Sequence, residues 1–197
     1  MPRPKRRNKT NRKQVKNRPK IYAFIESQNL NLGTGKDLFN KNKRKIYTGW
    51  KLDFKKFRIY LKDKFRVTQA FLFIGYIENN QKLYRELKKF GYQLVFKPTT
   101  KDAFGVPKGN IDAELVLHTA AIEYKNYNQA IVVSGDGDFR CLYEFLKKNK
   151  KLSKIIIPNK KAASTLLRPF DKYKKHLEDD RQKLQYKKTG GVHSSNT

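Results

Sequence analysis

The sequence predicts an α/β fold, in which a mainly parallel sheet of about five strands carries helices on both faces. Two observations predict this class. Apolar runs alternate along the chain with amphipathic stretches whose apolar residues recur at helical spacing. The apolar runs also lack the polar alternation of a strand that faces water, so both faces of the sheet must be covered.

Five apolar runs predict the strands, at residues 21–25, 70–76, 92–96, 130–133 and 155–157. The stretches between them predict helices at 54–65, 81–90, 111–124 and 139–148, with shorter helices near 162–167 and 173–184. Segment 31–36 is similar to a phosphate-binding loop. Asp37 stands where that motif needs Ser or Thr, so we expect an ordinary loop there.

The charge balance indicates a polyanionic partner. The 197-residue chain has 46 Lys and Arg against 17 Asp and Glu, a formal net charge of +29. A domain this positive repels itself, and nucleic acid is the first candidate partner. We find no lipidation motif and no long apolar helix, so we expect no membrane partner. The single cysteine, Cys141, excludes an internal disulfide, and its apolar neighbours predict a buried thiol.

The chain divides into three predicted parts. Residues 1–20 carry ten basic and no acidic residues and predict a disordered basic arm. Residues 21–188 form the predicted folded domain, and the Gly/Ser-rich residues 189–197 form a flexible tail. The charged N-terminus lacks the apolar core of a secretory signal, so we expect a cytoplasmic protein.

Carboxylates follow two of the predicted strands, and another opens a helix. Glu26 follows the first strand, Asp136 and Asp138 follow the fourth, and Asp112 lies at the start of the helix over 111–124. Because the carboxyl ends of parallel strands meet at one edge of a sheet, we expect these four side chains to converge.

Converging carboxylates repel one another, and a structural role alone does not explain the group. A divalent hard cation does explain it, since Mg²⁺ prefers oxygen ligands and completes its shell with water and substrate phosphate. On a basic nucleic-acid binder, such a site predicts metal-assisted cleavage of phosphodiester bonds.

Structural explanations also exist for these residues. Asp136 and Asp138 can form a turn and cap the following helix, and Asp112 can simply complement a helix dipole. Asn29 can cap a helix, or hold a carboxylate or a metal-bound water. A run of two aspartates directly after a buried strand favours the metal site, as does Glu26, because a carboxylate at the end of a buried strand needs a partner.

Three motifs occur together along the chain. They are Phe24-Ile25-Glu26-Ser27-Gln28-Asn29-Leu30, Lys108-Gly109-Asn110-Ile111-Asp112-Ala113-Glu114-Leu115 and Val133-Ser134-Gly135-Asp136-Gly137-Asp138-Phe139. This set resembles the NYN family of PIN-like ribonucleases. The resemblance covers residues 21–171 and implies a three-layer, Rossmann-like (PIN-like) fold, Mg²⁺ or Mn²⁺ as cofactor, and RNA as substrate. By motif position it implies the metal-binding and catalytic acids Glu26, Asp112, Asp136 and Asp138, with Asn29 and Ser134 as supporting polar residues.

Two positions depart from the family's pattern. Glu26 stands where the family usually has Asp, so the metal geometry must shift by about one methylene. His118 stands where the family often has a further Asp. Asp112 and His118 are six residues apart and do not share a helix face, so we expect His118 to pack within the fold.

Basic residues near the predicted edge are candidates for contacts with RNA phosphates. Segment 36–45 also precedes two aromatic residues, Tyr47 and Trp50, which suit base stacking. For Trp50 the alternative is a place in the core. The candidates for RNA binding are Lys36, Lys43, Arg44, Lys97, Lys108, Lys160 and Lys161.

Three functions fit the sequence. The first is a metal-dependent ribonuclease, expected to be an endonuclease that leaves a 5′ phosphate and a 3′ hydroxyl. The second is a non-catalytic RNA-binding or ribosome-associated protein on a degenerate PIN-like scaffold, which the charge, Glu26 and His118 support. The third is a Toprim-type Mg²⁺ enzyme acting on nucleic acid, against which Asn29 and the motif around Asp112 argue. A PIN-like domain can also form a homodimer.

Overall fold

The structure, a computed structural model, describes residues 18–97 and 111–187 and, for the backbone alone, residues 100–101 and 107–108. Most of the predicted arm, Asn110, the side chain of Lys108 and the predicted tail lie outside the described residues. Within the described part, no helix is long and apolar enough to cross a membrane.

Among the described residues, ten strands form one large sheet and two small hairpins. In chain order they are β1 (Ile21–Glu26), β2 (Leu38–Phe39), β3 (Lys45–Tyr47), β4 (Val67–Gly75), β5 (Tyr92–Lys97), β6 (Thr100–Lys101), β7 (Pro107–Lys108), β8 (Gln129–Val133), β9 (Leu152–Ile157) and β10 (Lys174–His176). The large sheet has the order β10-β9-β8-β1-β4-β5, and all its neighbours are parallel. The pairs β2–β3 and β6–β7 are antiparallel.

The described part of the chain also contains six α-helices. They are α1 (Ser27–Gly35), α2 (Phe54–Phe65), α3 (Gln81–Lys89), α4 (Ile111–Leu117), α5 (Arg140–Lys148) and α6 (Arg181–Leu184). A π-helical turn, His118–Ile122, extends α4. Short 3₁₀ helices lie at Glu78–Asn80, Gly137–Phe139, Thr165–Tyr173 and Leu177–Asp180.

The core has two halves, one on each face of the sheet. Along β1, Ala23 and Ile25 belong to the first half, and Tyr22 and Phe24 belong to the second. Helices α1, α2, α3 and α6 bury apolar side chains in the first half, and α4 and α5 do so in the second. Because β1 is apolar on both faces, it lies at the centre of a three-layer α/β fold, which confirms the predicted fold class.

The order of the strands reverses beside β1. After β1 the chain adds β4 and β5 on one side, and it then returns to add β8, β9 and β10 on the other side. At such a reversal, the connections after the two central strands diverge to opposite faces and leave a crevice at the carboxyl ends of the strands. Strands β1 and β8 flank this crevice.

The structure differs from several of the sequence predictions. The sheet has a sixth strand, β10, where a helix over 173–184 was predicted; only α6 at its end is α-helical. The predicted helix near 162–167 is a 3₁₀ helix that begins at Thr165. The predicted loop over 31–36 is mostly the second half of α1. Cys141 is exposed rather than buried, because it lies on the outer face of α5.

Candidate active site

Glu26 and Ser134 meet where β1 and β8 end. The two strands pair in parallel with Ile25 opposite Val133, so the next residue of each strand starts from a neighbouring position. Ser134 Oγ donates a hydrogen bond of 2.6 Å to Glu26 Oε2. Both side chains are buried, Ser134 completely and Glu26 to 7% exposure. The carboxylate of Glu26 is therefore fixed in position by a buried hydroxyl.

The turn after β8 places Asp136. The backbone N–H of Asp136 donates to Ser134 Oγ at 3.0 Å, and Asp136 Oδ1 accepts from the N–H of Asp138 at 3.0 Å. Asp136 thus caps the 3₁₀ helix Gly137–Phe139, as the structural explanation requires. This cap uses one carboxylate oxygen, so capping and metal binding are compatible. A Cβ at Gly137 would overlap Ser164 Oγ, so a larger residue there would displace the Ser164 side chain.

Asn29 holds the same turn from the side of α1. Its Oδ1 accepts a hydrogen bond of 2.8 Å from the N–H of Gly135. From the opposite direction, the N–H of Ser164 donates to the carbonyl of Gly135 at 3.0 Å. Asn29 therefore supports the site by anchoring the backbone of the turn.

Asp112 approaches from the first turn of α4. Burial raises the pKa of this half-buried carboxyl, and the charges of Asp136 and Asp138 raise it further, while Lys97 acts in the opposite direction. Together with Glu26 and Asp136, Asp112 lines a cleft of about 400 Å³ at the carboxyl ends of β1 and β8. The structure thus brings three of the four predicted acids to one cleft.

The fourth acid, Asp138, lies at the rim. Its side chain is exposed, and it does not line the cleft. Instead, Asp138 and Asp112 border a neighbouring shallow groove whose other walls are the apolar side chains of α4 and Phe139. Asp138 still contributes charge to the cluster, because it raises the pKa of Asp112.

The pKa of Glu26 is raised to about 7. Burial is the main cause, and the charges of Asp112 and Asp136 add to it; the hydrogen bond from Ser134 acts in the opposite direction. A nearby cation would reverse the effect of these neighbours, since it favours the ionised form of every carboxylate around it.

The donor set suits a hydrated ion better than a closed cage. Among the residues that the structure describes, no three Asp, Glu, His or Cys side chains are close enough to ligate one ion directly. Mg²⁺ takes oxygen ligands, keeps several waters and needs only one or two carboxylates from the protein. Carboxylates spaced around a cleft of this size fit that mode of binding.

Part of the predicted phosphate-binding set surrounds the cleft. Lys36 lies on its wall, directly after α1. Lys97 is half-buried, and its positive charge lowers the pKa of Asp112. Lys160 and Lys161 follow β9 and are exposed, and the ammonium of Lys161 donates to the carbonyl of Ile46 at 2.6 Å. Of the predicted cations, Lys36 thus shares the cleft with the acids, and Lys97 is close enough to lower the pKa of Asp112.

Of the remaining predicted cations, those whose side chains the structure describes do not line the cleft. Lys43 and Arg44 are exposed at the tip of the β2–β3 hairpin. The backbone of Lys108 forms the second position of β7, and its side chain lies outside the described residues. Of the two aromatics proposed for stacking, Trp50 and Tyr47 are both in the core, at 4% and 8% exposure, so the stacking role is wrong for both.

His118 packs as the sequence predicted. It begins the π-helical turn after α4, and its ring meets the ring of Phe73 edge-on with centroids 5.4 Å apart. A second ring, Phe71, lies 6.4 Å away. His118 therefore packs against aromatic side chains of the second half of the core.

Sequence reasoning gave two residues of the site no role of their own. Asn159 is only 3% exposed and lines the cleft, where it donates to the carbonyl of Gly33 and accepts from the N–H of Lys161. Its position directly after the last central strand was the available signal. Tyr143 lies beneath the acids: burial raises its pKa, and the charges of Glu26 and Asp136 raise it further. On the apolar face of α5, nothing in the sequence distinguishes it from a core residue.

Comparisons with known proteins agree with this description. The profile of the NYN domain matches residues 20–177. No curated protein matches. The crystal structure of a protein of unknown function from Vibrio parahaemolyticus is similar, with a TM-score of 0.64 and 19% sequence identity over 88% of this chain and 99% of that one. At this identity, the likeness supports the fold alone.

Proposed function

The chain belongs to the NYN domain family, and from that premise we propose that it is a metal-dependent ribonuclease, acting as an endonuclease. NYN domains are usually nucleases, which favours a hydrolase. The observation that carries the proposal is the cleft in which Glu26, Asp112 and Asp136 come together at the carboxyl ends of β1 and β8. The Toprim alternative gains no support, because the family match extends over nearly the whole described chain.

Charge supports the proposal in two ways. Three acids share one cleft although the chain has only 17 Asp and Glu in all, and its net charge of +29 favours a polyanionic substrate. The pKa of Glu26 is raised by burial and by its acidic neighbours, which is the condition of a carboxylate that lacks a counter-charge.

Glu26, Asp112 and Asp136, with Asp138 at the rim, would hold Mg²⁺ or Mn²⁺. When bound, the ion supplies a nucleophilic water at neutral pH and stabilises charge on the phosphate oxygens. The chain's own residues set the geometry: Ser134 fixes the carboxylate of Glu26, and Asn29 fixes the turn that carries Asp136. Lys36, on the wall of the cleft, is the side chain best placed to bind a phosphate of the RNA.

A second candidate function has its own support. A non-catalytic RNA-binding protein on the same scaffold fits the longer side chain of Glu26 and the packing of His118 between aromatic rings. It also fits the lack of a preassembled three-ligand cluster among the described residues. This candidate predicts tight, salt-sensitive RNA binding without turnover.

Cleavage of labelled single-stranded and hairpin RNAs tests the choice. The reactions contain Mg²⁺, Mn²⁺ or EDTA, and compare the wild type with Asp136→Asn. The asparagine oxygen can still accept from the N–H of Asp138, so the turn survives while a metal ligand is weakened. Asp63→Asn, at an exposed position on α2, is the matched control.

We expect the wild type and the control to cut only with metal and to leave a 5′ phosphate and a 3′ hydroxyl. Asp136→Asn should bind RNA and not cut it. If the wild type and both variants bind equally and none cuts across a broad panel of RNAs, the second candidate replaces the first. A cyclic 2′,3′-phosphate product would count against water activated by a metal.

A further inference from the structure

The β2–β3 hairpin presents an exposed aromatic ring that sequence reasoning did not single out. Phe39 is 57% exposed, whereas Tyr47 at the other end of the hairpin is buried. The ammonium of Lys45 lies over the Phe39 ring, 5.8 Å from its centroid. An isolated exposed apolar side chain is common on protein surfaces and needs no explanation. The surroundings of Phe39 are what distinguish it.

The tip of this hairpin concentrates positive charge in an ordered turn. Asn40 Oδ1 accepts from the N–H groups of Asn42 and Arg44, at 3.0 and 2.9 Å, and two backbone hydrogen bonds close the same turn. The turn exposes Lys41, Lys43 and Arg44. Within residues 18–97 and 111–187, none of these three cations forms an ion pair. Their charge is therefore available to an external anion.

The hairpin is also held firmly against the rest of the fold. Tyr47 Oη donates to the carbonyl of Thr34 at 3.2 Å, and the N–H of Gly49 donates to Asp37 Oδ1 at 2.8 Å. On the far strand, Lys161 reaches across from the loop after β9 and donates to the carbonyl of Ile46. An aromatic ring carried on a fixed hairpin loses little conformational entropy when it binds.

The position of the hairpin relates Phe39 to the acids. Leu38, the preceding residue on β2, lines the acidic cleft together with Lys36. Phe39 is the next residue along β2 and does not line the cleft, so its ring lies at the border of the cleft. A polynucleotide that leaves the cleft along the hairpin passes from Lys36 to the ring of Phe39 and to the cations of the turn.

We propose that Phe39 and the adjacent cations Lys41, Lys43 and Arg44 form a binding surface for single-stranded RNA, with an unpaired base stacked on the ring. The face of an unpaired base is planar and stacks on aromatic rings, and the phosphates of the backbone are anionic. The combination of an aromatic ring with flanking cations therefore matches both parts of a nucleotide. A duplex keeps its bases stacked inside the helix and can use only the cations. The proposal rests on the proposed function for RNA as the ligand, and it narrows the substrate to RNA with an unpaired segment.

Binding of RNA in EDTA tests this surface without any need for turnover. Fluorescence anisotropy of the full-length chain compares a short single-stranded RNA with a duplex of the same sequence, at one fixed salt concentration. The variants are Phe39→Ala, Phe39→Leu and Phe39→Trp. Tyr186→Ala is the matched control, because Tyr186 is also an exposed aromatic under a lysine, with Lys51 4.6 Å from its centroid, and does not line the cleft.

We expect Phe39→Ala and Phe39→Leu to weaken binding of the single strand by roughly five-fold or more, the usual effect of losing one stacked base. Phe39→Trp should bind like the wild type, and no variant should change the affinity for the duplex. Tyr186→Ala should bind both RNAs like the wild type. Equal affinities for Phe39→Ala and the wild type would overturn the proposal, as would an equal loss for the single strand and the duplex.

The two proposals fail separately. If binding in EDTA depends on Phe39 but no RNA is cut with metal, the ribonuclease proposal is overturned and the stacking surface stands. If RNA is cut with metal and binding is indifferent to Phe39, the stacking surface is overturned and the ribonuclease proposal stands.

Discussion

Glu26 is a carboxylate that folding buries beside two other acids. Its pKa of about 7 lies above the ordinary value of 4.5, so folding favours the protonated form of this carboxyl relative to the unfolded chain. By linkage, a group with a raised pKa contributes stability that is fully present below the unfolded pKa and is lost as the pH rises through the folded pKa. For Glu26 this window runs from about pH 4.5 to about pH 7.

We therefore expect Glu26→Gln to stabilise the metal-free protein at pH 8 and to leave its stability nearly unchanged at pH 4.5. The glutamine oxygen can still accept from Ser134 Oγ, so the variant removes charge and keeps the hydrogen bond. The gain at pH 8 should be about 1–3 kcal/mol, since one pKa unit corresponds to 1.36 kcal/mol. Urea unfolding in EDTA at the two pH values measures it.

Glu78→Gln, at an exposed position, is the control for this experiment and should change stability at neither pH. A Glu26→Gln variant that is less stable than the wild type at pH 8 would show that the carboxylate is stabilised by a partner in the folded state, contrary to the raised pKa.

The hydroxyl of Tyr143 is a second unusual group. It is buried and has no hydrogen-bond partner among the described residues, while its ring packs against Phe139 and Phe170. Removing an unsatisfied polar atom while keeping the ring is expected to be neutral or favourable. We expect Tyr143→Phe to raise the free energy of unfolding by about 0–1 kcal/mol.

Tyr127→Phe provides the contrast, because Tyr127 is equally buried and its hydroxyl donates to the carbonyl of Thr119 at 2.7 Å. This variant should lose about 1 kcal/mol or more, since it leaves a buried carbonyl without its donor. Thermal or urea unfolding compares the two. A loss for Tyr143→Phe as large as that for Tyr127→Phe would mean that the Tyr143 hydroxyl is hydrogen-bonded in solution.

At the scale of elements, the β2–β3 hairpin depends on a close approach between Gly49 and the end of α1. A Cβ at Gly49 would overlap the carbonyl of Gly35, whereas a Cβ at Gly35 would meet open space. We expect Gly49→Ala to destabilise the protein by about 1–3 kcal/mol, because backbone atoms must move to make room. Displacement of the hairpin should also weaken binding of single-stranded RNA.

Gly35→Ala is the matched control, because it makes the same chemical change at the other residue of this contact, where a Cβ meets open space. It should leave both the free energy of unfolding and the affinity for RNA within error of the wild type. Equal effects of the two substitutions would show that the contact between Gly49 and α1 does not position the hairpin.

The strands that could be predicted from the sequence are those that contain a run of apolar residues. Strands β1 and β8 are buried over nearly their whole length, and β4, β5 and β9 each contain an apolar run. Such runs are the direct signature of a covered parallel sheet. Strand β10 reads Lys-Lys-His and gives no such signal, because an edge strand owes its conformation to pairing with β9. Helix α1 was missed because Asn and Gly are poor helix formers.

The same distinction applies to the site. Glu26, Asp112 and Asp136 were found because the carboxyl ends of parallel strands share one edge, so position along the chain fixes position in space. The hairpin lies outside the sheet, and its orientation depends on contacts that no pattern encodes. Tyr47 and Trp50 were therefore assigned to the surface or left undecided, and Phe39 was overlooked.

At the scale of the whole molecule, we expect net charge to set the strength and salt dependence of the proposed RNA binding. Residues 1–20 contribute ten of the 46 basic residues, and the remainder of the chain is still strongly basic. We expect deletion of residues 1–20 to weaken RNA binding and to reduce the slope of log K against log[salt] by roughly 0.7 for each lost phosphate contact. Titrations over a range of salt concentrations measure the slope.

Binding should persist in the truncated chain, and metal-dependent cleavage should survive, because every acid of the cleft is retained. An unchanged salt slope would show that the arm makes no contact with phosphates. The division of the chain into arm, domain and tail, association into a homodimer and placement in the cytoplasm stay predictions.

The reversal of strand order beside β1 also has a consequence for timing. Glu26 and Ser134, joined by a hydrogen bond, are 108 residues apart in the chain, and β1 finds its neighbour β8 only across that distance. During synthesis the first strand leaves the ribosome long before the second exists, and pairing over such a separation is among the slow steps of folding. A ribonuclease, the function proposed for this chain, would be made on a ribosome built of RNA and from a template of RNA. Because the acidic cleft is split between the beginning and the later part of the chain, we expect no cleavage of either RNA until most of the protein has been translated.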